Sequence, residues 1–66
     1  MEYILMYIGA HMQCVPRHRA QALIDLGAAV MGGDPPQAAI EVAENDPDGT
    51  AVRIGETWMG LSEAIR

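Results

Sequence analysis

Residues 38–54 read Ala-Ala-Ile-Glu-Val-Ala-Glu-Asn-Asp-Pro-Asp-Gly-Thr-Ala-Val-Arg-Ile, and the period assigned to them decides the fold. Ile40, Glu41 and Val42 alternate apolar, acidic, apolar; Val52, Arg53 and Ile54 alternate in the same way around a base. Alternation of this kind marks a strand with one buried face. In the register that sets Val42 opposite Val52, Ile40 also meets Ile54, and Glu41 meets Arg53 on the other side of the sheet. Between them Asn45-Asp46-Pro47-Asp48-Gly49 carries turn chemistry and ends in Gly. The expectation is an antiparallel hairpin of 38–43 with 50–54.

Upstream, residues 2–8 read as a strand with Tyr3, Leu5 and Tyr7 on one face and Ile4, Met6 and Ile8 on the other, ended by Gly9. Both faces are apolar, which suits the interior of a sheet. Pro16 fits the first position of a helix, and Ala20, Leu23, Ile24, Gly27, Val30 and Met31 recur at helical spacing, so a helix is expected over 16–31. Gly27, Ala28 and Ala29 then form a small-residue patch, and Gly32-Gly33 followed by Asp34-Pro35-Pro36 stops the helix. Downstream, Gly55-Glu56 is a tight turn into a short extended piece, 57–59. Gly60 begins a last helix as N-cap, with Glu63 at the third helical position in a weak capping-box variant. The order strand, helix, strand, strand, helix predicts one α+β domain spanning 1–66: a small ferredoxin-like β-α-β-β-α sandwich, an antiparallel sheet with helices on one face. The other face would then expose Tyr3, Leu5 and Tyr7, together with Trp58, and call for a second copy or a protein partner.

Composition narrows the function. The chain has 66 residues, nine acids against four bases, all Arg, and a single Cys. A chain this short buries only about 60% of the surface its unfolded form exposes, so association surfaces are expected. One Cys forms no internal disulfide, which points to a reducing, cytoplasmic setting. The apolar start, 1–8, carries Glu2 and is too short for a membrane span or a signal-peptide core. Residues 1–33 are neutral, with Glu2 and Asp25 against Arg17 and Arg19; residues 34–66 carry all of the net charge of −5. Such an acidic half repels phosphate backbones and complements a basic protein surface. Arg17-His18-Arg19 is too small a basic spot for nucleic-acid binding.

The stretch with chemical potential is His11-Met12-Gln13-Cys14 followed by His18, a set of soft and borderline ligands just before the expected helix. Met12-Gln13-Cys14 resembles the first half of the Met-x-Cys-x-x-Cys loop of the heavy-metal-associated domains found in copper chaperones and transport ATPases. Gly49-Thr50-Ala51-Val52 and Ala64-Ile65 fall roughly where similar residues occur in that family. The resemblance implies a ferredoxin-like fold and a soft-metal site in the loop joining the first strand to the first helix. Arg17 stands where the family has its second Cys, so His11 or His18 would have to complete the ligand set. As a nucleophile pair, Cys14 with His11 or His18 lacks an orienting third group and an oxyanion-stabilising turn, and no enzymatic activity or cofactor is expected. The five Met residues fit gap-filling in the core.

The leading expectation is a non-enzymatic protein-protein interaction module that acts by covering a surface. Glu41, Glu44, Asp46, Asp48 and Glu56 would steer it to a basic partner, with Tyr3, Tyr7 and Trp58 as anchors. A concrete version, suggested by size and acidity alone, is a phage-type inhibitor of a host nucleic-acid-binding complex, such as an anti-CRISPR protein. The alternatives are a soft-metal domain using Met12 and Cys14 with His11 or His18, and a structural subunit of a homo-oligomer, a homodimer in the simplest case, with the Tyr3 and Tyr7 face buried between identical chains.

Overall fold

In a computed structural model, which describes residues 2–65, the chain runs β1 (Tyr3–Ile8), β2 (His11–Pro16), α1 (Arg17–Asp25), β3 (Val30–Gly33), α2 (Gln37–Asn45), β4 (Ala51–Ile54), β5 (Thr57–Gly60) and α3 (Leu61–Ala64). The five strands form one antiparallel sheet in the order β3-β1-β2-β4-β5. The class is α+β, but the order of elements is not β-α-β-β-α, and the sheet is built around two tight hairpins. Gly9 and Gly55, at φ 61° and 65°, open the two-residue turns that join β1 to β2 and β4 to β5. A left-handed first residue followed by one at negative φ is the sign pattern of the type II′ turn, whose twist matches that of paired strands.

The stretch that reads as the first half of a hairpin is helix α2. Its buried residues are Ala39 and Ala43, four apart, and Ile40 and Val42 flank that stripe, half-buried on either side of it. The local alternation of Ile40, Glu41 and Val42 is therefore the edge of a 3.6-residue pattern whose centre is two alanines, strong helix formers. The register pairing Val42 with Val52 is replaced: Val52 lies between Gln13 of β2 and Met59 of β5. Arg53 faces Trp58, and the expected pairing with Glu41 does not form.

The first helix is shorter than its sequence pattern. It ends at Asp25, where the Gly27 N–H donates to the Ile24 carbonyl (2.9 Å) and the Ala28 N–H to the Leu23 carbonyl (3.0 Å), with Gly27 at φ 72°. This is a Schellman stop, so Gly27 terminates the helix instead of belonging to a packing patch, and Val30 to Gly33 is released to form β3. Pro16 precedes α1 as its N-cap and ends β2.

The helices lie on opposite faces, which corrects the expected one-sided arrangement. Residues directly opposite in antiparallel strands share a face. Leu5 opposite Cys14, and Cys14 opposite Ala51, define one face; there Cys14 and Ala51 form a buried cluster with Ala39 and Ala43 of α2. Ile4 opposite Val15, with Met6 next along β1, defines the other, where Met6 and Val15 are buried with Ala20 of α1. α1 packs on β1 and β2, and α2 on β2, β4 and β5. Each face is thus covered over a different part of the sheet. No helix among the described residues is long and apolar enough to cross a membrane.

Candidate protein-interaction surface

α2 leaves its last turn at Asn45, and the chain reverses at once. The Gly49 N–H donates to the Asp46 carbonyl (2.9 Å) across Pro47-Asp48, and the Asp48 N–H donates to Asp46 Oδ2 (3.0 Å), so Asp46 organises the turn with both backbone and side chain. The same carboxylate reaches the start of α3. Its Oδ1 accepts from the Ser62 N–H (3.2 Å) and from the Ser62 hydroxyl, and Oδ2 also accepts from the Thr50 N–H (3.4 Å). Gly60 and Glu63 make no side-chain cap of their own; Asp46 does that work from a distant position. Burial pushes the Asp46 carboxyl up, but the bonds from the Ser62 hydroxyl and the Thr50, Ser62 and Asp48 N–H groups outweigh it and hold the group below the usual carboxylate range.

The turn is also tied to α1. Arg19 Nη1 donates to Thr50 Oγ1 (3.1 Å) and to the Asp48 carbonyl (3.4 Å), and the fully buried Thr50 donates its hydroxyl to the same carbonyl (3.3 Å). A buried hydroxyl is tolerated here because it is bonded in both directions.

Between α2 and the 60–63 segment lies an open groove of about 670 Å³. Val42 and Pro47 give it an apolar part, and Glu41 from α2 and Glu63 from α3, both exposed, give it carboxylates from two elements. Of the five acids expected to meet a partner, Glu41 lines this groove with its side chain exposed, and Asp46 lines it with its carboxylate already committed to the fold. Glu44 is exposed on α2, and Asp48 is exposed in the turn. Glu56, also exposed, sits in the β4–β5 turn, at the other end of β5 from the groove. Glu63 was not among the expected contact residues, because its position after Gly60 reads as helix capping; nothing local in sequence brings it to Glu41.

The aromatic residues separate. Tyr3 and Trp58 are half-buried against the Cys14 cluster under α2. The Tyr3 phenol is pushed up first by burial, then by the charges of Glu44, Cys14 and Glu2. Leu5 is buried, and Tyr7 alone of the three aromatics is open, at 45% exposure. Tyr7 lies opposite Met12, and Arg53 opposite Trp58, so one row of the sheet beyond α2 carries them together; Arg53 Nη1 lies 3.9 Å from Met12 Sδ, and its Nε donates to the Gly55 carbonyl (3.0 Å).

The residues of the metal reading are dispersed by the strand that replaces the expected loop. Alternation along β2 puts Met12 and Cys14 on one face and His11 on the other, while His18 is exposed on α1. Cys14 is fully buried, and burial pushes its thiol up to about 11, so it is a protonated core group at neutral pH. Among the described residues no group of three or more His, Cys, Asp or Glu side chains is placed to hold a metal ion. No protein-family model matches the chain, and no curated protein or solved structure is detectably similar to it.

Proposed function

We propose that the protein is a non-enzymatic interaction module that covers a basic protein surface, with the groove between α2 and α3 receiving an Arg or Lys side chain of the partner. The observation that carries this reading is the pair Glu41 and Glu63, exposed on two different helices around one groove that also offers Val42 and Pro47. A guanidinium is bound best by carboxylates that approach its planar fork, and its methylene stem favours apolar contact. Helix stability accounts for only part of this charge. Glu63 lies in the first turn of α3, where the helix dipole favours an acid. Glu41 is at the middle of α2 with no dipole gain, and Glu44 lies in its last turn, which has no base and where the dipole disfavours negative charge. The overall charge of −5 adds steering toward basic surfaces and repulsion of phosphate. A channel that binds nucleic acid is a surface of that kind, and a phage-type inhibitor such as an anti-CRISPR protein is the version in which covering it blocks function.

The test uses an Arg-rich peptide as the probe, titrated calorimetrically at low and physiological salt. Glu41→Arg and Glu63→Arg are each expected to weaken binding by about tenfold or more, and Glu56→Arg to change it far less. Circular dichroism confirms that each variant is folded. Equal loss in all three variants would reduce the groove to general electrostatics, and unchanged binding in the two groove variants would remove it as the site.

A further inference from the structure

We infer that Asp46 and Ser62 form a clip that docks α3 and so sets Glu63 in place, which makes binding in the groove conditional on a strap that the bound partner itself tightens. The coupling rests on the reading of the groove as a receptor for a basic side chain; the clip does not.

The two walls of the groove are held unequally. Glu41 stands on α2, nine residues long, whose Ala39 and Ala43 are fully buried. Glu63 stands on α3, four residues long, in which no residue is buried; Leu61 and Ala64 are half-buried, and Ile65 just beyond is 73% exposed. A helix of one turn has no stability of its own, and with so little apolar area covered it stays only where polar contacts fix it. Three hydrogen bonds do so at its start. The Leu61 N–H donates to the Thr50 carbonyl (2.9 Å), the Ser62 N–H donates to Asp46 Oδ1 (3.2 Å), and the Ser62 hydroxyl donates to the same oxygen. Glu63 is the next residue, so its place in the groove follows from them.

The acceptor side of the clip is fixed in advance. Asp46 Oδ2 takes the Asp48 N–H (3.0 Å) and the Thr50 N–H (3.4 Å), so the turn orients the carboxylate and leaves Oδ1 for α3. Arg19, bonded to Thr50 Oγ1 at 3.1 Å, ties that turn to α1. Gly60 lets the chain pass the carboxylate on its way into the strap, since a Cβ there would meet Oδ1 at 2.5 Å. A cation held by Glu41 and Glu63 together binds only the docked arrangement, and by linkage it favours docking as much as docking favours it. Where docking is incomplete, the apparent affinity falls with the docked fraction.

The experiment reads both sides of this linkage in the whole chain. Amide hydrogen exchange at Leu61 and Ser62 is followed with and without the Arg-rich peptide, beside calorimetric titration of the parent, Ser62→Ala and Ser62→Thr. Neither substitution alters a charge, so a change in affinity is not a loss of electrostatic attraction. Ser62→Ala is expected to speed exchange at residues 61 and 62 by about tenfold or more, with residues 39–43 unchanged, and to weaken peptide binding by about threefold or more. Ser62→Thr keeps the hydroxyl and should restore both. In the parent, saturating peptide should slow exchange at 61 and 62. Exchange in Ser62→Ala equal to that of the parent, or Ser62→Thr as impaired as Ser62→Ala, overturns the clip. Parent-like affinity in Ser62→Ala, or exchange at 61 and 62 that saturating peptide leaves unchanged, overturns the coupling while the groove still binds. A parent that binds no peptide removes the groove as the site and the coupling with it.

Discussion

A Cβ on Gly60 would sit 2.5 Å from Asp46 Oδ1, the atom that also accepts the Ser62 N–H at 3.2 Å. Gly60 has φ −61°, ordinary for any residue, so the demand for glycine is steric and comes from a carboxylate in another part of the chain. The last strand, the last helix and the α2–β4 turn therefore meet at one side chain.

Gly60→Ala is expected to cost about 1–3 kcal/mol by overpacking, and Asp46→Ala about 1–2 kcal/mol by loss of the cap and turn bonds. Because Asp46→Ala also removes the obstacle, the double variant should be less destabilised than the sum by more than about 0.5 kcal/mol. Urea denaturation of the four proteins measures this, and strict additivity would contradict the contact.

The Asp46 carboxyl, held low in the folded protein, makes stability depend on acid. Its folded value lies below the unfolded one, so the unfolded chain binds more protons and stability rises with pH through that interval. The contribution is present above about 3.9 and is lost as pH falls through the folded value. Asp46→Asn should be less stable at neutral pH and show a flatter acid limb in its melting temperature. An acid limb as steep as that of the parent would assign it to other carboxylates.

Cys14 works in the opposite direction. Burial raises its thiol to about 11, so its contribution is complete below about 8.5 and is lost as pH rises toward 11. Cys14→Ala should cost about 1 kcal/mol at neutral pH and flatten the alkaline limb. An aromatic disulfide reagent should modify the native thiol only as fast as the sheet opens, and rapid stoichiometric modification without unfolding would show that the thiol is accessible.

Thr50 joins α1 to the turn through Arg19. Thr50→Val keeps the shape but removes the hydroxyl bonded to Arg19 and Asp48, and is expected to cost about 1–2 kcal/mol. Arg19→Ala should cost less, about 0.5–1 kcal/mol, and the pair should show coupling in a double-mutant cycle. Independent effects would mean that Arg19 is held by solvent and not by Thr50.

Several features were legible in the sequence because they rest on local chemistry. The first strand, the Gly55-Glu56 turn, the Asp46 to Gly49 turn and the short helix after Gly60 are each set by residues within a few positions of one another. β2 was missed because His11, Met12 and Cys14 look like ligands when read as a list, and a two-residue turn at Gly9-Ala10 leaves little signal beyond one glycine. α2 was missed because Ile40 and Val42 are larger than Ala39 and Ala43 and dominate any hydrophobic pattern, although the small residues occupy the buried stripe. The groove was half legible: Glu41 belongs to a visible acidic run, but Glu63 reaches it only through the fold.

By itself the sequence determined an α+β chain with its negative charge in the second half, no internal disulfide and several tight turns, since composition and turn residues act wherever the chain is placed. Tertiary structure decided which period 38–45 follows, which faces the helices cover, that Cys14 is sealed from solvent and that Asp46 caps a helix beyond the next hairpin. Those outcomes depend on the fit of alanines against a sheet and on a carboxylate meeting distant N–H groups, and both are properties of surfaces that exist only after the strands have paired.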